Sequence, residues 1–125
     1  GRWSRGLGDV YKRQADGDEK ATAIAPIADD TWVVTGHIYG SFDFGGGEQD
    51  CGESRNLFVL GLSASGEHLF SRCYGGAGWD EPSAMAVTSA GDVLWTGFSN
   101  GALDFGGGEL SPAGSYDIFL AKFRP

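Results

Sequence analysis

The chain has 125 residues, including 22 glycines and 4 prolines, and its 17 acidic and 9 basic residues give a formal net charge of −8. This acidic balance repels phosphate backbones and anionic membrane surfaces, so we expect no nucleic-acid partner, and no apolar run reaches the roughly 18 residues of a membrane span. Abundant glycine together with 13% aromatic residues is typical of a turn-rich, packed β protein and excludes a disordered chain.

Two copies of one unit, 61 residues apart, account for most of the chain, and residues 1–14 fit them only in part. Trp3-Ser4-Arg5 is similar to Phe70-Ser71-Arg72, but at a spacing of 67, so six residues are extra. Residues 9–14 (DVYKRQ) are what a transposase mosaic end, used in preparing sequencing libraries, encodes. We predict that 9–14 is a library scar, with a native loop insertion as the alternative, and that 1–8 ends a preceding unit.

Short β-type runs follow in a fixed order. Pro26 interrupts the first run and predicts an edge strand or a bulge, because proline cannot donate to a ladder. Gly36 and its copy Gly97 interrupt the second run and predict a bulge or a close backbone approach. The runs are 22–28, 31–39, 56–62 and 68–74, and the first three return at 83–88, 92–98 and 117–123.

The hexamer at 43–48, DFGGGE, returns letter for letter at 104–109. Three glycines let the backbone turn sharply because they have no Cβ. Phe42 and Phe44 flank Asp43, so we expect both rings to point inwards and the carboxylate to point outwards.

No stretch shows a sustained helical period, so the sequence predicts an all-β fold. Four short strands per repeat, with glycine and aromatic residues at fixed places, indicate four-stranded antiparallel meanders of the kind that form β-propeller blades. We expect one complete blade at 15–75 and an incomplete blade, without its fourth strand, at 76–125. Two repeats are marginal for an array, so we expect further blades in a longer chain.

The repeat resembles the bacterial seven-bladed β-propeller repeat. The resemblance rests on Thr96-Gly97, the strand at 117–123 (DIFLAKF), the Ser65-Gly66 turn, and Phe70-Ser71 followed by Gly75-Gly76. The first unit departs from the pattern at Asn56, Leu60 and Gly61. The resemblance implies an extracellular or cell-envelope protein, and it supplies no catalytic residues because the motifs of the repeat are structural.

The two cysteines, Cys51 and Cys73, lie outside the repeated pattern and lack metal-ligand spacing. The sequence leaves open a disulfide between them, which requires an oxidising compartment, or two free thiols.

We expect ligands at the connections between the second and third strands and between blades, because loops there vary without disturbing the sheets. Trp79 lies in the connection between blades and is the candidate ligand-binding residue, whereas Trp32 and Trp95 lie in strands and are expected in the core. His37 aligns with Phe98 and is expected to pack. A calcium ion on Asp43, Glu48 and Asp50 is the alternative to carboxylates that only cap turns.

These patterns predict a non-catalytic scaffold that presents loops to an unknown protein or glycan, with no cofactor. The alternatives are the frame of an enzyme whose active site lies in other blades, and a calcium-stiffened structural protein.

Overall fold

The structure is a computed structural model that describes residues 2–4, 8–10, 18–28 and 30–125. These residues form thirteen β-strands and no helix, which confirms the all-β prediction. The strands are β1 (Arg2–Ser4), β2 (Gly8–Val10), β3 (Glu19–Ile27), β4 (Thr31–Ile38), β5 (Ser41–Phe42), β6 (Gln49–Asp50), β7 (Asn56–Leu62), β8 (His68–Tyr74), β9 (Asp80–Val87), β10 (Val93–Ser99), β11 (Leu103–Asp104), β12 (Glu109–Leu110) and β13 (Asp117–Phe123).

The first copy of the repeat forms a four-stranded antiparallel sheet in the order β3-β4-β7-β8, which we call the first sheet. The strand order follows the chain order. Short turns join β3 to β4 and β7 to β8, whereas the connection from β4 to β7 contains the strands β5 and β6. Pro26 lies in β3, at the edge of this sheet, as predicted.

The second copy forms a three-stranded antiparallel sheet, β9-β10-β13, which we call the second sheet. The register repeats with the sequence: Gly36 lies opposite Phe58 in the first sheet, and Gly97 lies opposite Phe119 in the second. The two copies therefore share one pairing scheme as well as one sequence pattern.

The position shared by Gly36 and Gly97 combines a bulge with a close approach, as predicted. A register shift lies between Thr96 and Gly97, and a Cβ on Gly97 would overlap the Glu81 carbonyl oxygen and the Phe119 ring. A Cβ on Gly36 would overlap the Lys20 carbonyl oxygen and the Phe58 ring. Only glycine fits at these two positions, because there is no space for a Cβ atom.

Each glycine loop is a small hairpin that folds back onto its own sheet: β5 pairs with β6, and β11 pairs with β12. Phe42 and Phe44 are buried and Asp43 is exposed, which confirms the expected alternation. Asp43 Oδ1 accepts hydrogen bonds from the amides of Gly45 (2.9 Å) and Gly47 (3.1 Å), and Asp104 makes the matching pair with Gly106 and Gly108. The aspartates thus fix the turn.

The main core lies between the two sheets. Trp95, at its centre, contacts Tyr74, Phe105, Phe119 and Phe123 with ring centroids 5.5 to 6.3 Å apart. The buried aliphatic side chains around it each contribute about 1.5 to 3 kcal/mol. They are Val33, Leu57, Val59, Val93 and Leu103, with Ala25 at the margin.

Near the N-terminus, β1 pairs with β2 in a two-stranded sheet. Of the predicted scar at 9–14, only the backbone of Asp9 and Val10 is described, within β2, and residues 11–14 lie outside the described residues. The assignments of 1–8 and 9–14 stay predictions.

Within the described part of the chain, no helix is long and apolar enough to cross a membrane.

Substituting Gly36→Ala should destabilise the protein by about 3 kcal/mol, because the added Cβ must displace backbone at Lys20. Chemical denaturation followed by circular dichroism measures the change. Gly107→Ala is the matched control, since a Cβ there meets nothing within 4 Å. Equal effects from the two substitutions would contradict the close-approach explanation.

Cys51 and Cys73 form a disulfide with Cα atoms 5.8 Å apart, and it closes a segment with a sequence separation of 22. Reduction should therefore lower the free energy of unfolding by roughly 3 kcal/mol, mainly by freeing the unfolded chain. Denaturant titrations with and without a reductant measure this difference. A Cys51→Ala/Cys73→Ala variant should show no response to the reductant.

Candidate functional site

Five side chains gather at the end of the two sheets where β4 finishes and β7 and β9 begin. We call this group the loop-end cluster. Tyr39 follows β4 and Arg55 precedes β7. Trp79 directly precedes β9, and Glu81 is the second residue of that strand. His37, near the end of β4, lies below them and is buried. Both sheets therefore contribute to the cluster.

Trp79 is exposed, as expected for the candidate ligand-binding residue, with 41% of its surface accessible. Its backbone amide donates to Asn100 Oδ1 at 2.6 Å, and its carbonyl accepts from the Asn100 amide at 3.2 Å. These two bonds fix Trp79 to the connection that follows β10. The exposed ring is consequently held on a rigid backbone.

The guanidinium of Arg55 stacks on the Trp79 ring, 3.8 Å from its centroid, and lies 5.8 Å from that of Tyr39. Cation–π attraction and the flat shape of the guanidinium favour this arrangement. Arg55 also lies 3.6 Å from Glu81 Oε2, and its buried Nε has no hydrogen-bond partner among the described residues. The cluster therefore offers a fixed aromatic surface beside a donor and an acceptor.

His37 is buried, which agrees with a packing position, but its Nδ1 lies 3.6 Å from Glu81 Oε1. Burial, followed by the positive charge of Arg55, lowers the pKa of His37, while Glu81 opposes that shift. When folding lowers the pKa of a histidine, the folded protein loses stability as the pH falls below the pKa of that histidine in the unfolded chain. The imidazole is thus neutral at physiological pH and adds no second cation beside Arg55.

Beneath the cluster, Asp80 is completely buried and accepts a hydrogen bond from the Ser99 hydroxyl. Burial raises the pKa of Asp80, and the Ser99 hydroxyl and the Gly76 backbone amide oppose the rise. Asp80 Oδ2 and Asn56 Oδ1 both point towards Gly75, where a Cβ would overlap them. Within the described residues, neither oxygen has a well-oriented direct partner.

Two further hydrogen bonds tie the sheets together at this end. The amide of Asp80 donates to the Arg55 carbonyl oxygen at 2.8 Å, and the Ser54 hydroxyl donates to the Ala77 carbonyl oxygen at 3.1 Å. They hold the segment that carries Trp79 against the segment that carries Arg55. The spacing of the ring and the guanidinium is therefore set by the packing of one sheet on the other.

The other two tryptophans that were considered as ligand contacts differ in their exposure. Trp95 is buried, as expected, but the prediction that Trp32 belongs to the core is wrong, since 40% of its surface is exposed. Trp95 faces the opposite sheet, whereas Trp32 lies on a face that no second sheet covers within the described residues.

The carboxylates considered for calcium do not converge. Asp43 accepts from the amides of its own loop, and Asp50 accepts from the Gly52 amide at 2.9 Å. Across residues 18–28 and 30–125, no group of three or more His, Cys, Asp and Glu side chains is arranged to hold a metal ion. The observed contacts are those of turn-capping carboxylates.

Sequence reasoning predicted that Trp79 is exposed, but it assigned no role to Arg55 or Glu81. Arg55 lies 24 residues before Trp79, in a segment without a motif, and only the packing of the two sheets brings them together. One feature of the sequence could have indicated that Arg55 lies near Trp79. Arg55 stands directly before a predicted strand, at the end of the sheet where Trp79 was expected.

No protein-family model matches the chain, and no curated protein was found to be similar to it.

Asp80→Asn should stabilise the protein at pH 7 and progressively less towards pH 4. A raised pKa in the folded state means that protonated Asp80 adds stability at a pH below the ordinary aspartate pKa of 3.8, and that this stability is lost as the pH rises. Asparagine also removes the cost of keeping a charged carboxylate away from water. Thermal melts of the variant and the parent across this pH range measure the effect. His37 titrates in both proteins, so its contribution cancels in the difference between their melting temperatures.

Ser99→Ala is the opposing variant. It removes a donor to the ionised carboxylate of Asp80, so it should destabilise the protein more at pH 7 than at pH 4. A pH-independent effect from both substitutions would show that Asp80 does not titrate in this range.

Proposed function

We propose that this chain is a non-catalytic scaffold of the β-propeller type, whose loop-end cluster binds a glycan. The proposal rests chiefly on Trp79, an exposed ring whose backbone is fixed by Asn100 and whose neighbour is the stacked guanidinium of Arg55.

The repeat supports the propeller assignment. A four-stranded antiparallel meander packs face to face against a second sheet with the same register, and the equivalent residues face the same way in both. Neighbouring blades of a propeller pack in a similar way, which supports the proposal. The short glycine hairpins and the likeness to the bacterial seven-bladed repeat agree with it.

The chemistry of the cluster favours a sugar. The apolar face of a pyranose ring stacks on an indole, and its hydroxyl groups need both donors and acceptors at the rim of the stack. Arg55 supplies donors, and Glu81, with a quarter of its side chain exposed, supplies acceptors. Because His37 is neutral, the charges of Arg55 and Glu81 offset each other, which favours a neutral glycan.

The disulfide between Cys51 and Cys73 supports placement outside the cytoplasm, in the extracellular space or the cell envelope. A glycan-binding scaffold is compatible with that compartment.

The test is titration of the intact chain with a panel of neutral oligosaccharides, followed by nuclear magnetic resonance of the tryptophan indole protons. Binding should shift the Trp79 signal, and Trp79→Ala should weaken binding by roughly tenfold because stacking on an aromatic ring is lost. Arg55→Gln should weaken it less, since the amide keeps one donor group.

Trp32→Ala is the matched control, because Trp32 has nearly the same exposure, 40%, and lies outside the cluster. Binding that survives Trp79→Ala but not Trp32→Ala would overturn the assignment of the site. If no oligosaccharide of the panel shifts the Trp79 signal, the glycan proposal is wrong, and a protein partner becomes the competing explanation.

A further inference from the structure

Asn100 is one of only two asparagines in the chain, and Gly101 follows it directly. It lies just after β10, where it is exposed. The backbone nitrogen of the next residue can attack an asparagine carboxamide and close a five-membered ring, and glycine places no side chain in the way of this attack. The sequence therefore allows a self-modification at Asn100, and the surrounding contacts determine whether the fold assists it.

The carboxamide oxygen of Asn100 is held where a developing negative charge is stabilised. Asn100 Oδ1 accepts a hydrogen bond from the Trp79 backbone amide at 2.6 Å. A fixed amide donor polarises the C=O group and stabilises the oxyanion that forms when a nucleophile adds to its carbon. The Asn100 amide donates in return to the Trp79 carbonyl oxygen at 3.2 Å, so the backbone of Asn100 is fixed as well.

The attacking nitrogen of Gly101 is held in place and is connected to a base. A Cβ on Gly101 would overlap the backbone of Gly78, so the two glycines are in close contact. The Gly101 amide donates to the Ser99 hydroxyl oxygen at 3.2 Å, and that hydroxyl donates to Asp80 Oδ1. Ser99 Oγ also lies 3.1 Å from the Gly101 carbonyl oxygen, but its single proton favours the charged carboxylate. A proton can thus pass from Gly101 through Ser99 to Asp80.

Asp80 is suited to take up this proton. It lies opposite Ser99 in the pairing of β9 with β10, and its side chain is completely buried. Within the described residues, its carboxylate belongs to no ion pair. Burial raises the pKa of Asp80, so this carboxylate is a stronger base than an ordinary aspartate.

We propose that Asn100 is a self-modification site, at which the Gly101 nitrogen displaces the carboxamide nitrogen. Ser99 is the catalytic residue, because it touches the reacting nitrogen. Asp80 acts through Ser99 as the positioning residue, which orients the hydroxyl and takes up its proton. The Trp79 amide stabilises the oxyanion.

The reaction needs no reagent other than water. A bond forms between Gly101 N and Asn100 Cγ, and the bond from Cγ to Nδ2 breaks. The proton released by Gly101 N ends on the departing nitrogen, which leaves as ammonia, and the product is a five-membered succinimide. Water then opens one of its two carbonyls. Attack at Cγ leaves aspartate, whereas attack at the main-chain carbonyl leaves isoaspartate.

The modification acts on the loop-end cluster, a consequence that rests on the proposed glycan function. Isoaspartate adds one carbon to the main chain at residue 100 and moves the carboxylate to a new position. The two hydrogen bonds that Trp79 forms with Asn100 can then no longer form together, so the ring is not held beside Arg55. We expect the affinity for oligosaccharides to fall as isoaspartate accumulates.

The test is incubation of the intact chain at a fixed neutral pH, followed by peptide mapping with mass spectrometry, which detects the exchange of NH₂ for OH. Modification should appear at Asn100 and not at Asn56, which is buried and followed by Leu57. The folded chain should react faster than the same chain in urea, because only the fold assembles the relay. Asn100→Gln should stay unmodified, since its longer side chain does not form the five-membered ring.

Ser99→Ala and Asp80→Asn should each slow the reaction of the folded chain, by up to about a hundredfold, and leave the rate in urea unchanged. Ser99→Thr keeps the hydroxyl and should restore most of the rate, which a merely structural effect of Ser99→Ala does not predict. Glu67→Gln is the charge-matched control for Asp80→Asn, since Glu67 is exposed in the turn between β7 and β8, and it should react as the parent does. Circular dichroism confirms that each variant folds.

A folded parent that reacts more slowly than the denatured chain would overturn the proposal, and so would relay variants that react at the parent rate. Oligosaccharide titration of fresh and aged protein separates this outcome from that of the glycan test. Modification of a chain that binds no oligosaccharide when fresh would confirm the site and overturn the proposed function. Modification that leaves the affinity unchanged would confirm the site and overturn its effect on the loop-end cluster.

Discussion

The contact between the two sheets, centred on Trp95, is the constraint on which the rest of this molecule depends. Isolated small sheets are marginally stable in water, and each copy of the repeat has an apolar face that only another sheet can bury. Trp95 fills the space between them and brings Tyr74 and Phe105 from different copies within ring contact. One copy of the repeat is therefore recognisable in the sequence, but stability requires two copies whose apolar faces pack against each other.

The loop-end cluster is a product of that same contact. Arg55 belongs to the first sheet and Trp79 leads into the second, so their 3.8 Å stacking exists only while the sheets are apposed. The buried pair of Asp80 and Asn56 lies directly below, where a carboxylate is kept from water. The exposed ring of the proposed binding site and the buried carboxylate thus belong to adjacent residues, Trp79 and Asp80.

The sequence predicted what depends on one copy at a time: the strands, the edge position of Pro26, the crowded Gly36 and Gly97, and the inward Phe42 and Phe44. These follow from local chemistry and from the 61-residue spacing. It did not predict what depends on two copies. Trp32 was expected in the core because tryptophan in a strand usually packs, but its burial needs an apposed sheet that the described residues do not supply. Arg55 and Glu81 likewise meet only through the packing between sheets, which no spacing encodes.

The disulfide between Cys51 and Cys73 has a mechanical consequence. It joins β8, at the edge of the first sheet, to the loop that leads into β7. An edge strand is ordinarily the first to peel away when a chain is pulled, because only one ladder of hydrogen bonds holds it. Here the disulfide joins residues with a sequence separation of 22, so about 75 Å of extended chain between them cannot be pulled out by an applied force. Tension along the oxidised chain therefore passes through the bridge and bypasses the hairpin of β7 and β8, so this part of the sheet behaves as a mechanical clamp.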